Sequence, residues 1–179
     1  YTYYSGQGNS SAYKDVVTGT ALRDYIHANE GDDVIDAGAG DDEVDGGMGS
    51  DTFLFGRGDG QDTVWREYPG ERLPTDKDVL RFKAGVAQTD VIYQRSGDDL
   101  VVKIQGTNDR VTVLGAYGEN PLDGVVFDDG ATIALAALNL LANQAPVLVS
   151  PIPDQTASQI APFTYSVPQG LFTDPEGDV

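Results

Sequence analysis

The chain has 179 residues and a mass of 19.0 kDa, with 29 acidic against 11 basic side chains, a formal charge of -18 and a pI near 4.1. That charge repels nucleic acid and anionic membrane surfaces and makes cations the natural partners. Cys is absent, which removes disulfide frameworks and thiolate metal sites, and no run approaches the ~20 apolar residues needed to cross a bilayer, so membrane insertion is not expected.

The chain opens on YTYYSGQG, which has neither the basic nor the apolar region of a secretory signal, and it stops within the motif-like FTDPEGDV. Both ends lead us to expect a segment of a longer protein. Between Glu30 and Asp62 eleven acids face one base, Arg57, so ten of the eighteen net negative charges sit in under a fifth of the chain. Self-repulsion at this density opposes compaction unless a cation neutralises it.

Composition alone would allow a disordered acidic tract, but the spacing argues for order. Written in nines from Ser10, the blocks are SSAYKDVVT, GTALRDYIH, ANEGDDVID, AGAGDDEVD and GGMGSDTFL. Position six is always Asp (Asp15, Asp24, Asp33, Asp42, Asp51) and position eight always apolar (Val17, Ile26, Ile35, Val44, Phe53). Position four is Gly31, Gly40 and Gly49 in the last three blocks. Side chains two apart on a strand share a face, so the period predicts short strands with the apolar residue inward, joined by tight turns. Glycine permits positive φ in those turns and lets carbonyls converge. Carbonyls plus carboxylates form a hard oxygen cage, which suits the six to eight ligands of Ca²⁺ better than the strict octahedron of Mg²⁺.

These blocks resemble the RTX, or repeats-in-toxin, nonapeptide G-G-x-G-x-D-x-U-x. GGMGSDTFL matches best; ANEGDDVID and AGAGDDEVD depart at one or both leading glycines. The resemblance implies a parallel β-roll with two nonapeptides per coil and calcium between turns stacked on the same side. It pairs Asp24 with Asp42, Asp33 with Asp51, and Asp42 with the acidic turn GRGDGQD. The metal ligands it implies are Asp24, Asp33, Asp42, Asp51, Asp59 and Asp62, with Gly31, Gly40 and Gly49 in the turns. Asp15 is a further candidate; its block, like that of Asp24, lacks the position-four glycine.

After Phe53 the phase slips in FGRGDGQDTV, a turn that could close the last calcium site and cap the roll. Arg57-Gly58-Asp59 spells the integrin-binding tripeptide, which we read as chance because Asp59 is expected on calcium. From Asp78 onward DVLRF, DVIYQ, LVVKIQ, RVTVLGAY and GVVFDDG are separated by SGDD, GTND and GENPLD, the rhythm of an antiparallel sheet, expected here as a small sheet of its own. This region resembles the haemolysin-type calcium-binding related domain that follows such rolls. Asp98–Asp99 is read as a polar hairpin turn rather than a metal site. TIALAALNLLANQ, 132–144, is read as a helix from Thr132 to near Asn143, packed on the sheet.

NQAPVL marks a linker, and the tail resembles the opening strands of a cadherin-like, dystroglycan-type module whose apolar positions need a covering layer from another copy or an adjacent domain. Asp174, Glu176 and Asp178 there have the alternate spacing that can bind Ca²⁺. The expected organisation is all-β: residues 1–64 a calcium-binding β-roll, 65–142 a small antiparallel domain with one short helix, and 143–179 a linker with the first strands of a sandwich. No catalytic constellation stands out; His27 is the single histidine, expected to be exposed and without a partner. The function expected from the resemblance is a non-enzymatic, calcium-binding structural module of a large secreted bacterial surface or adhesin-like protein, exported unfolded by a type I system and folding on extracellular calcium. A secretion adaptor for an enzyme or toxin, and a subunit of a surface layer or filament, are the alternatives.

Overall fold

A computed structural model describes residues 2–5, 14–66, 73–118, 122–142, 147–148 and 172–173. Strands β1 (Thr2–Ser5), β2 (Val16–Thr18), β3 (Asp24–His27), β4 (Val34–Asp36), β5 (Glu43–Asp45), β6 (Thr52–Phe55) and β7 (Gln61–Trp65) come first, and from β2 to β6 they follow the nine-residue period with turns of five or six residues. Odd strands stack in parallel in one sheet and β2, β4 and β6 in a second. Two strands and two turns make one coil, so residues eighteen apart lie in register.

Position eight forms the core. Ile26 pairs with Val44 and Val44 with Val64 in one sheet, while Val17, Ile35 and Phe53 stack in the other. Ile26, Ile35, Val44, Phe53 and Val64 are all buried. A strand of three or four residues is too short to be stable alone; each coil is held because its inward apolar residue packs on the equivalents above and below.

The expected separate sheet does not form. Strand β8 (Val79–Phe82) lies parallel to β6, and β12 (Gly124–Val126) parallel to β8, extending the second sheet with Leu80 and Val125 in the Ile35–Phe53 column. Strand β11 (Arg110–Val113) lies parallel to β7, followed outward by β10 (Asp99–Ile104) and β9 (Val91–Ser96), which are antiparallel. The strands beyond Asp78 therefore continue both sheets of the roll over a single hydrophobic core, and residues 1–142 form one compact unit. The reason is the open ladders of β6 and β7: their unpaired N–H and C=O groups and the ends of both apolar columns need a covering layer. Phe82 and Phe127 stack at 4.8 Å within that layer.

The predicted helix is shortened. Thr132–Ala134 is strand β13, antiparallel to β12, and the helix α1 covers Leu135–Leu141. β-branched Thr132 and Ile133 suit the sheet edge, and Gly124 lets that edge approach: a Cβ there would stand 2.3 Å from the Ile133 carbonyl oxygen. Helix α1 packs on β9, β12 and β13 through buried Leu138. Gly97–Asp98 is a two-residue hairpin loop between β9 and β10, with positive φ at Gly97, as the polar-turn reading expects.

Residues 143–179 form a second unit, in which β14 (Val147–Leu148) pairs antiparallel with β15 (Phe172–Thr173). Asp174, Glu176 and Asp178 and most of the cadherin-like stretch lie outside the described residues.

Phe82→Ala, which removes one ring of the buried stack, should lower stability by about 3–5 kcal/mol. Chemical denaturation in saturating calcium measures this; a loss below about 1 kcal/mol would show that the layer beyond Asp78 does not share the core.

Candidate metal centre

The turns stack as the strands do. On one side residues 28–33 lie against 46–51, with the Gly31 N–H donating to the Met48 carbonyl and the Met48 N–H to that of Asn29. On the other, 37–42 lies against 56–60, with the Gly40 N–H donating to the Asp59 carbonyl and the Gln61 N–H to that of Gly40. Gly49 has φ 115°, and a Cβ there would stand 2.1 Å from the Gly31 carbonyl oxygen. Gly60 stands in the same relation to Gly40, at 1.8 Å. Only glycine permits this approach, and it crowds carbonyl oxygens beside the carboxylates.

Position six and later aspartates build two rows, buried except at Asp15 and Asp123, which are half-buried. In the first, the Asp15 N–H donates to Asp33 Oδ1 at 2.7 Å, the Asp33 N–H to Asp51 Oδ1 at 3.0 Å, the Asp51 N–H to Asp78 Oδ1 at 2.9 Å and the Asp78 N–H to Asp123 Oδ2 at 3.1 Å. In the second, the Asp24 N–H donates to Asp42 Oδ1 at 2.7 Å and the Asp42 N–H to Asp62 Oδ1 at 3.1 Å. Each carboxylate is thus oriented through one oxygen by the backbone of the preceding coil. The other oxygen, Oδ2 of Asp33, Asp42 and Asp51, is buried without a hydrogen-bond partner.

Asp33 and Asp51 are 0% exposed and Asp42 1%. Burial, against the donated N–H, pushes Asp33 up to about 6 and Asp51 to about 7; Asp62 is pushed to about 8 for the same reason, and Asp42 is also raised. A buried, uncompensated anion is costly, and such a group must take up a proton or a cation. No three acidic or imidazole side chains converge on a point among the described residues. A cation cage here therefore needs main-chain carbonyls, which the stacked turns supply. The donor set is all hard oxygen with unspent carboxylate valence, and it fits Ca²⁺.

The other expected residues fall in different places. Both oxygens of Asp24 are engaged by Thr20, through its N–H at 2.5 Å and its hydroxyl at 2.9 and 3.2 Å. Asp59 stands outside the rows: its Oδ2 accepts the Gly56 N–H at 2.8 Å and lies 2.8 Å from Lys83 Nζ. That ion pair and the burial of Asp59, with Arg57 bound to Asp90 and to the Gly85 and Gln105 carbonyls, leave the Arg-Gly-Asp triplet closed to recognition. His27 is not exposed as expected. Its ring is 13% exposed, with Nδ1 3.1 Å from Asp45 Oδ2 and Nε2 3.2 Å from the Tyr25 hydroxyl, packed edge-on to Trp65.

Sequence reasoning missed Asp78 and Asp123, which extend the first row. Both carry the Asp-x-apolar spelling of the repeats, in Asp78-x-Leu80 and Asp123-x-Val125, but steps of 27 and 45 residues hide the period. Spelling alone is not sufficient: Asp109-x-Val111 shares it, yet the Asp109 carboxylate accepts the N–H groups of Gly58 and Gly60 and clamps that turn.

A parallel roll whose buried carboxylates and turn carbonyls recur every eighteen residues defines a calcium-binding β-roll. Residues 18–53 match the RTX calcium-binding nonapeptide repeat in four copies, and residues 99–137, from β10 into α1, match the haemolysin-type calcium binding protein related domain. Two segments of the chain thus match calcium-binding families of the RTX type. It is 39% identical over 100 residues, 52% of its length, to the iron-regulated protein FrpA of Neisseria meningitidis serogroup C, and the match spans 9% of that relative. Among solved structures it is similar to the AlgE6R3 subunit of the Azotobacter vinelandii mannuronan C5-epimerase, at 22% identity over 86% of this chain and 97% of that one, with a TM-score of 0.39.

In EDTA the roll should be more stable at pH 5 than at pH 8. Without a cation the folded carboxylates hold protons up to about 6, 7 and 8, whereas the unfolded chain releases them near the ordinary value of about 3.9. The folded state then binds more protons between those limits, so stability is greatest below the unfolded value and is lost as pH rises through the folded ones. Thermal melts in EDTA across this range test the sign; stability rising with pH would contradict it.

Proposed function

We propose that this chain is a calcium-dependent structural module of a large secreted bacterial protein, folding when it meets extracellular calcium. Asp33, Asp42 and Asp51 hold the ions through their Oδ2 atoms, with turn carbonyls around Gly31, Gly40 and Gly49, and Asp62 ends the second row. Asp24 and Asp59 take supporting parts, one held by Thr20 and the other by Lys83. The observation that carries this reading is the repetition of one buried, unpartnered carboxylate oxygen at corresponding heights of the stack. Ten uncancelled negative charges between Glu30 and Asp62 keep the chain open where calcium is scarce, consistent with export unfolded by a type I system. A module role accords with FrpA, of which the matched stretch is only 9%. We place the parent protein at the cell surface as an adhesin-like molecule, and the module itself as non-catalytic.

Calcium binding only to the folded roll stabilises it by about 2.7 kcal/mol per independent site at a hundredfold excess over Kd. Circular dichroism at pH 8 should show the strand signal of the repeats weakened in EDTA and restored by millimolar calcium. Asp42→Asn should weaken calcium binding in a calorimetric titration more than Asp15→Asn, because the Asp42 turn has turns on both sides. A strand signal indifferent to EDTA, or equal effects of the two substitutions, would refute the assignment.

Residues 143–179 gain a covering layer for β14 and β15 from a second copy or an adjacent domain, since a two-stranded pair is marginal in water. Limited proteolysis with solution scattering should find a monomer cleaved near Asn143; a monomer with a protected tail would exclude the partner.

A further inference from the structure

The first row of carboxylates changes character part-way along. Its spare oxygens run Asp33 Oδ2 and Asp51 Oδ2, both without a hydrogen-bond partner, then Asp78 Oδ2, which accepts from Arg66 Nη2 at 2.6 Å, then Asp123 Oδ1, which accepts from Lys77 Nζ at 2.8 Å. Arg66 and Asp78 side chains are each only 4% exposed, whereas Lys77 is 65% exposed. The Arg66–Asp78 pair is therefore the buried one. Arg66 follows β7 directly and Asp78 precedes β8, so the pair lies where the regular repeats give way to the covering strands. The distribution of bases agrees: no Lys or Arg occurs between Arg23 and Arg57, the stretch that holds the unpartnered oxygens.

We propose that Arg66 is a resident cation that takes on Asp78 the place calcium takes on Asp33 and Asp51, and so ends the metal column at the last repeat turn. The inference rests on the calcium reading of those two oxygens. A guanidinium suits the role because it stays charged at every relevant pH and meets a carboxylate with a planar, directional fork. Calcium leaves when its concentration falls; Arg66 cannot. The Asp78 rung, and through it β8 and the strands stacked beyond, keeps a hydrogen-bonded cation without metal, while the spare oxygens of Asp33 and Asp51 have no hydrogen-bond partner and Asp51 feels Arg66 only from a distance. The roll thereby acquires a fixed wall against which calcium assembles the repeats.

Hydrogen exchange on the full chain, with native mass spectrometry for calcium count, tests this. In EDTA the wild type should protect the amides of Val79–Phe82 while those of Val34–Asp36 exchange freely. Arg66→Gln leaves a buried lone carboxylate, so protection at 79–82 in EDTA should fall by about two to three orders of magnitude, as expected for losing one partner of a buried pair. Millimolar calcium should restore it with one more ion bound than in the wild type. The double variant Arg66→Gln/Asp78→Asn has no lone charge and should retain most of the EDTA protection; should the single variant fail to fold, the folded double variant alone supports the proposal. Unchanged protection in Arg66→Gln, or equal losses in the single and double variants, would assign Arg66 to packing and overturn it. A wild type that binds no calcium would overturn the calcium reading and this proposal together, whereas normal calcium binding with an indifferent Arg66→Gln overturns this proposal alone.

Discussion

A carboxylate taken out of water must be given a hydrogen-bond donor and a positive charge, and this constraint organises the whole roll. The stacked coils supply the donor: Asp33, Asp42 and Asp51 are each fixed by the backbone N–H of the coil before. They do not supply the charge for Asp33, Asp42 and Asp51, whose second oxygens have no hydrogen-bond partner. In the repeat segment the polypeptide therefore leaves these oxygens without a hydrogen bond of its own. Further along, the chain brings its own cations, with Arg66 on Asp78 and Lys83 on Asp59 and Asp36.

Charge and packing are coupled through strand alternation. Asp24 and Ile26, or Asp33 and Ile35, lie two apart and face inward together, so the apolar column and the carboxylate row share one register. A slip of one residue would turn both outward at once. The glycines enforce the same register from the turns, because Gly49 and Gly60 can approach the preceding turn only where a Cβ is missing. Short strands of low intrinsic stability are thus specified by three agreeing constraints, and the metal acts on all of them when it fills the turns.

The covering strands solve a different problem. A stack of coils ends in open ladders, and β8, β12, β11, β10 and β9 extend those ladders until an antiparallel meander on one sheet and β13 with α1 on the other close them. Asp109 reaches back to the N–H groups of Gly58 and Gly60, so the last acidic turn is shaped by a residue some fifty positions later. The continuity of the two sheets means that the repeat segment and the related domain share a core, and events at calcium-bearing turns act on the same stacked columns as the covering layer.

Constant spacing made much of this legible. The period of nine gave the inward faces directly, and the two blocks per coil implied by the resemblance to the RTX repeat gave the partners Asp24–Asp42 and Asp33–Asp51 and the parallel strands, because translation along the chain maps onto translation along the stack. The same mapping fails once steps of 27 and 45 residues separate Asp51, Asp78 and Asp123, since an insertion can return to either open edge and only the long-range packing selects one. For that reason the shared sheets, strand β13 inside an apparent helix, the enclosure of His27 against Asp45 and the Arg66–Asp78 pair were set by tertiary structure. The sequence by itself determined the spacing of the repeat carboxylates and an all-oxygen chemistry suited to calcium; which carboxylates receive a side-chain cation instead depended on bases brought in from other turns and strands, and such meetings carry no period to read.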